Sequence, residues 1–203
     1  MWSGPGRDFR FVSNAFSRPT PLLQEQVDER LARMNYFATF DLPSTFAVDT
    51  TALSARYRDL QAAVHPDRFV NATDADKRTA MSRTVDINEA YTTLKDPVRR
   101  AMHLLALVGV DGLDAKNTTM PADFLMEQID WREALADAHL KENDDRLEEM
   151  SGELASTLAS LGDMFDVAYR GEHFAVATTL ARKMRFMQKL TEEVDAALAD
   201  LEQ

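Results

Sequence analysis

Few side chains in this sequence are arranged to do chemistry. The four histidines, His65, His103, His139 and His173, lie far apart without ligand spacing, and there is no cysteine. Disulfides and thiolate chemistry are thereby excluded, zinc sites lack their usual residues, and no metal or other cofactor is expected. The histidines read as ordinary surface or helix-end residues. The one place where titratable groups meet is His65-Pro66-Asp67. As an acid–base pair it has no nucleophile, phosphate loop or metal cluster beside it, so catalysis is not expected. The proline has a different consequence. It ends a helix, fixes the direction of the loop that follows and leaves an imidazole and a carboxylate at the surface. A carboxylate held in a fixed direction suits a charge-assisted hydrogen bond with an arginine of another protein. The plainer reading is a proline turn with a capping aspartate, and the context of the tripeptide must separate the two.

A second candidate is a strip of residues rather than a cluster. After Pro121, residues Phe124, Gln128, Trp131 and Leu135 fall on one helical face. Leu125, Met126 and Ile129 fall on another, continued by Glu133 and Asp137. One helix of a small bundle needs a single buried strip, so the second is a candidate exposed patch. The alternative is a wide core that buries both. An apolar strip running into carboxylates suits a partner with an apolar anchor and basic neighbours. Phe186 stands among Arg182, Lys183, Arg185 and Lys189, off the line of Met184 and Met187, which points it toward solvent.

Helices must position these residues. Asn35 to Phe40 reads as a short aromatic turn of helix, stopped by Leu42-Pro43 because the residue before proline disfavours the helical region. Asp49 or Thr50 caps the next helix, whose stripe is Leu53, Tyr57, Leu60 and Val64, with Pro66 ending it. A polar loop runs from Arg68 to Thr73. Asp74 is the expected cap of a third helix with Met81, Val85 or Thr84, Ile87, Tyr91 and Leu94 inside, and Pro97 stops it. A fourth helix, Val98 to Val108, turns Ala101, Leu104, Leu105 and Val108 inward. Gly109 to Met120 shows no apolar period and reads as a linker. Pro121 suits a first helical position, and that helix runs to about Ala138. The next carries Leu147, Met150, Leu154, Leu158, Leu161, Phe165 and Ala168 to a break at Gly171; the last carries Ala177, Leu180, Met184, Met187, Val194, Leu198 and Leu201. The expectation is an all-α chain: an antiparallel helical hairpin with short flanking helices, then an antiparallel three-helix bundle.

Charge narrows the partners. The net charge is −11, and residues 109–203 hold 21 acidic against nine basic groups. Such a half repels a phosphate backbone, so no nucleic-acid partner is expected; a solvated acidic surface or a basic protein partner remains. No apolar run approaches the roughly 18 residues a membrane span needs, so no membrane partner is expected either. Residues 1–33 mix Gly4, Pro5, Gly6, Pro19 and Pro21 without a sustained period and read as a poorly ordered extension, with residues 22–33 a possible short amphipathic helix. Met34 stands directly before the first element, so a misassigned translation start is expected; the alternative is an organellar transit segment.

His65-Pro66-Asp67 between two amphipathic helices is the arrangement of a J-domain, and residues 34–108 resemble one throughout. The resemblance narrows to the HscB family in Asn35-Tyr36-Phe37, Leu53 to Phe69, Phe124-Leu125-Met126-Glu127-Gln128, Arg132-Glu133 and Arg182-Lys183-Met184-Arg185-Phe186-Met187. It covers residues 34–203 and includes a C-terminal bundle, residues 121–203, that ordinary J-proteins lack. The resemblance implies a co-chaperone, not an enzyme: it stimulates the ATPase of the DnaK-type chaperone HscA and delivers the iron–sulfur scaffold IscU to it, in the bacterial cytoplasm. The mitochondrial matrix applies if residues 1–33 are a transit segment. It implies His65, Pro66 and Asp67 as the activating loop, with Arg56, Arg58 and Arg68 as basic docking residues. Gln61, Ala62 and Ala63 leave this helix less basic than in many J-proteins. For the scaffold it implies Leu125, Met126, Ile129, Asp130, Glu133, Asp137 and Phe186; the family commonly has glutamates where Asp130 and Asp137 stand. The competing reading is a general J-protein or helical adaptor with a different client.

Overall fold

Helix formation begins where Asn35 accepts a hydrogen bond from the Phe37 N–H at 3.1 Å, starting α1 (Tyr36–Thr39). The computed structural model describes residues 35–110, 112 and 120–201. The extension over residues 1–33, its possible helix at 22–33 and most of the linker lie outside the described residues. Phe37 and Phe40 are buried, and Asp41 takes a positive φ of 50° to leave the helix. Asp49 caps α2 (Thr50–Ala63), its Oδ1 accepting from Thr51 and Ala52 at 2.8 and 3.1 Å. A 3-10 turn, Pro66–Phe69, follows. The cap of α3 (Asp74–Lys95) is Thr73 rather than Asp74. Thr73 Oγ1 accepts from the Asp76 N–H at 3.2 Å and donates to the Asp76 carboxylate at 2.7 Å, a reciprocal cap that Asp74 does not make.

The hairpin of α2 and α3 is closed by polar and aromatic ties. Ser54 meets the Tyr91 hydroxyl at 3.2 Å, the Tyr57 hydroxyl donates to Asn88 at 2.9 Å, and the Tyr57 and Tyr91 rings stack at 4.0 Å. Gln61 also donates to Asn88, so partner numbers fall on α3 as they rise on α2, and the helices are antiparallel. The inner line of α3 is Ala80, Thr84, Ile87, Ala90 or Tyr91, and Leu94. Met81, expected inside, is 70% exposed, and of the two candidates Val85 and Thr84 it is Thr84 that turns inward, Val85 being 62% exposed. The hydrophobic pattern misled because alanine and threonine occupy the inner positions while larger residues sit one step round the helix.

Asp96 caps α4 (Pro97–Leu107) by accepting from Val98 and Arg99 at 2.8 and 2.9 Å. Val108 is not on its inner face: it is the cap residue, 41% exposed, before the turn at Gly109, whose φ is 76°. His103 is no surface histidine. It is buried, its Nε2 accepts from the Tyr36 N–H at 3.2 Å, and its ring stacks on Tyr36 at 4.4 Å. Burial holds its pKa below the ordinary histidine value.

The remaining helices are α5 (Ala122–Leu140), α6 (Asp144–Arg170) and α7 (Phe174–Leu201). Pro121 caps α5 from outside rather than opening its first turn. The expected stripes of α6 and α7 are buried or packed on the core, with Leu190 added. A tight turn at Gly171 makes α6 and α7 antiparallel neighbours along their length. The core does not stop at the end of α4. Phe46 packs on Phe165 at 5.1 Å, Asp96 accepts from Gln188 at 2.6 Å, and the Tyr169 hydroxyl donates to the Leu104 carbonyl at 3.2 Å. Buried Arg100 lies over the Phe46 ring at 5.1 Å, with burial lowering its pKa against the pull of Asp96. Residues from 35 onward thus form one compact unit, and it is all-α: no strand occurs among the described residues.

Candidate functional site

The loop after α2 is built by its own sequence. Val64 closes the helix with its N–H on the Leu60 carbonyl at 3.1 Å. His65 has extended backbone, φ −58° and ψ 134°, as a residue before proline requires. Pro66 then opens the 3-10 turn, where its missing N–H leaves no bond unmade. His65 Nδ1 accepts from the Asp67 N–H at 3.4 Å and lies 3.6 Å from Asp67 Oδ2. The two side chains are 59% and 86% exposed. The imidazole is therefore tied to the turn, while the carboxylate stands in solvent with its backbone fixed. Such a group can receive an arginine from outside.

The three arginines differ. Arg68 lies in the turn, exposed, with Nη1 donating to the Ala62 carbonyl at 3.4 Å. Arg58 is exposed on α2. Arg56 Nη1 instead donates to the carbonyls of Phe40 and Asp41 and lies 3.9 Å from the Asp41 carboxylate. It ties α2 to the turn after α1. Arg56 and Arg58 are two residues apart and hence about 200° apart round the helix, so they do not share a face.

On α5 the two strips separate. Phe124 is 1% exposed, Gln128, Trp131 and Leu135 are half-buried, and Ala138 completes the inner line. Leu125, Met126 and Ile129 are 48%, 61% and 49% exposed, and Asp130, Glu133 and Asp137 are exposed beside them. These six residues fall within an arc of about 140° at about 100° per residue. Asp137 is paired with Lys141 at 2.8 Å. Phe186 is only half-buried rather than free: its ring meets Phe124 edge-on at 5.5 Å and lies under the Arg132 guanidinium at 5.8 Å. Arg132 also approaches Glu193 at 3.7 Å, and Lys183 lies 4.6 Å from the Phe124 ring centre. Phe186 thus sits at the flank of α5 and braces it. Trp131 floors a groove of about 330 Å³ with Glu127, Asp130, Arg146 and Glu153, in which Arg146 bridges Glu149 and Glu153 at 2.7 and 3.2 Å.

Sequence reasoning passed over two exposed features. Met81 and Val85 lie on α3, which packs against the 3-10 turn; the alternative inner line through Ala80 and Thr84 would have freed them. Leu140 is 82% exposed at the end of α5. The expected end of that helix near Ala138 hid it.

A helical hairpin with an exposed His-Pro-Asp loop, joined to a three-helix bundle, defines a J-type co-chaperone. The family described as HSCB C-terminal oligomerisation domain matches residues 120–195. The co-chaperone protein HscB homolog of Shewanella loihica is 39% identical over 168 residues, covering 81% of this chain and 97% of that one. Among solved structures, chaperone HscB from Vibrio cholerae superposes with a TM-score of 0.73 at 32% identity, covering 82% of this chain and 99% of the other. The human co-chaperone protein HscB superposes with a TM-score of 0.72 at 28% identity over 96% and 93%. The chain belongs to the HscB co-chaperone family.

Proposed function

We propose that this protein stimulates ATP hydrolysis by the DnaK-type chaperone HscA and delivers the scaffold protein IscU to it during iron–sulfur cluster assembly. The observation that carries this is the joint display of two surfaces by one packed unit: the loop of His65, Pro66 and Asp67, and the exposed strip of Leu125, Met126 and Ile129. Residues 34–108 serve as the J-domain and residues 121–203 as the client-binding bundle. The proposed compartment is the bacterial cytoplasm, a reading supported by the bacterial origin of the relatives. No helix among the described residues is long and apolar enough to cross a membrane.

The protein supplies no reacting group of its own. Asp67 accepts from a cationic side chain of the chaperone, with Arg58 and Arg68 meeting acidic residues beside it. Contact with the hydrolysis-competent conformation shifts the chaperone's population toward it. IscU, held on α5 by an apolar anchor and by Asp130, Glu133 and Asp137, is presented at high local concentration. Tight packing of α4 and Phe46 on α6 and α7 keeps the two surfaces in fixed relation.

The test is steady-state ATP hydrolysis by purified HscA, with and without IscU, on adding this protein or its Asp67→Asn form. Stimulation that IscU raises further and that Asp67→Asn abolishes is expected. Stimulation indifferent to IscU would mean a J-protein with another client, and none under either condition would remove the assignment.

A further inference from the structure

The outer face of the α2–α3 hairpin carries apolar side chains that its own core does not use. Met81 and Val85 stand one helical turn apart on α3, both largely in solvent. The ties between the helices fix their direction. Asn88 points at α2, where it accepts from Tyr57 and Gln61. At about 100° per residue Met81 projects within about 20° of Asn88 and Val85 within about 60°, both on the side turned from the core. On α2, the residues that continue past Gln61 away from buried Leu53 and Val64 are Arg58 and Ala62, which are exposed. These four side chains therefore lie on the same side of the seam between the helices. The antiparallel register sets their height. Ser54 meets Tyr91 and Gln61 meets Asn88, so the run continues with Val85 beside the last turn of α2 and Met81 level with His65 to Arg68. Arg68 folds back onto the Ala62 carbonyl and joins this face.

We infer that Met81 and Val85 form an apolar contact for the chaperone that the adjoining loop stimulates, on a patch of that chaperone which is apolar and edged with carboxylates. The inference rests on the co-chaperone reading above and adds a further part to its surface. Position carries it: a partner that reaches Asp67 and the last turn of α2 covers the side chains level with them on the same face. Charge selects the partner. Arg58, Arg68 and Arg78 flank the pair, Arg78 lying within about 20° of Val85 round the helix. Neither Arg58 nor Arg78 meets a carboxylate among the described residues. Asp74, one turn before Arg78, is the acidic group on this line. In a chain of net charge −11, this face thus keeps unpaired cations around an apolar centre, as an interface core sits within a polar rim. The last turn of α2 offers Gln61, Ala62 and Ala63 in place of further basic residues, so apolar area supplies what charge does not. Contacts of exposed arginines weaken as salt rises, whereas burial of methyl groups does not, so the apolar part is the part that persists.

Met81→Gln and Val85→Thr remove the apolar surface at two exposed helix positions with little change of bulk. Stimulation of purified HscA would be titrated with the unaltered protein, the double variant, Met81→Leu and Asp67→Asn, at about 0.05 and 0.3 M salt. The double variant is expected to need about tenfold more protein for half-maximal stimulation and to reach the same maximum. That factor should hold at both salt concentrations, with the thermal melt and the affinity for IscU unchanged. Met81→Leu, which keeps an apolar side chain, should follow the unaltered protein, and Asp67→Asn should abolish stimulation. A factor that shrinks with salt would mean that the pair acts only through the arginines beside it, and would overturn the apolar contact. Equal half-maximal concentrations for the double variant and the unaltered protein would overturn it too and leave the loop's role standing. No stimulation by the unaltered protein would overturn both.

Discussion

The Phe46 ring occupies the space that a side chain at Gly162 would need. A Cβ there would lie 3.0 Å from Phe46 Cε1 and 3.2 Å from Cζ, tighter than most carbon contacts, so the ring would have to shift by a few tenths of an ångström. Glycine inside α6 therefore lets the loop before α2 seat its aromatic ring on Phe165. Gly162→Val adds three carbons to this contact and should destabilise the protein by about 1–3 kcal/mol. Urea unfolding of Gly162→Val, Phe46→Ala and the pair would check it. The double variant should be less destabilised than the sum of the singles; strict additivity would mean that the ring is not what the new side chain meets.

Asp96 serves two structures at once. Its Oδ1 accepts the first N–H groups of α4, and its Oδ2 accepts from Gln188 of α7. Asp96→Ala should cost about 2 kcal/mol, roughly half from the cap and half from the bond to α7. Gln188→Ala should cost about 1 kcal/mol in the unaltered protein and little in Asp96→Ala. An undiminished effect of Gln188→Ala in that background would show that Gln188 acts through other neighbours.

His103 makes stability depend on pH. Buried and accepting from the Tyr36 N–H, it has a folded-state pKa below the ordinary value near 6.5. Below that value the unfolded chain binds the proton more readily than the folded one, so stability rises with pH across this window. The contribution is whole above about 6.5 and is lost as pH falls toward the folded pKa. Urea midpoints between about pH 7.5 and 5 should drop for the unaltered protein and drop less for His103→Gln, which keeps an acceptor and does not titrate. Parallel curves for the two proteins would assign the acid sensitivity elsewhere.

The helices were legible wherever large apolar residues marked the inner face. Leu147 to Ala168 and Ala177 to Val194 are such cases, because spacings of three and four have one solution when leucine and methionine carry the burial. On α3 the inner positions include Ala80 and Thr84, so hydrophobicity chose Met81 over Ala80 and left Val85 and Thr84 undecided. His103 could not be recognised as a core residue, since its acceptor role needs Tyr36, 67 positions earlier. The His65-Pro66-Asp67 loop was legible because proline determines its backbone locally. The place of Phe186 was not, because the aromatic edge contact with Phe124 joins two helices that no pattern within either one reports.

The two strips of α5 make opposite demands on stability and binding, and the contrast separates them. Phe124 is 1% exposed between Phe186 and Lys183, so Phe124→Ala opens a cavity and should cost about 3–5 kcal/mol. Leu125 and Met126 keep 48% and 61% of their surface in water. Their replacement by serine should change stability by about 0.5 kcal/mol each, because little contact is removed. Binding should invert the order. Leu125→Ser/Met126→Ser should lose most affinity for IscU with a thermal melt close to the unaltered protein's. A paired measurement of melting temperature and IscU affinity decides the matter. Equal destabilisation by the two sets would mean that both strips belong to the core, whereas a melt that holds while binding disappears identifies the outer strip as a surface kept apolar for a partner.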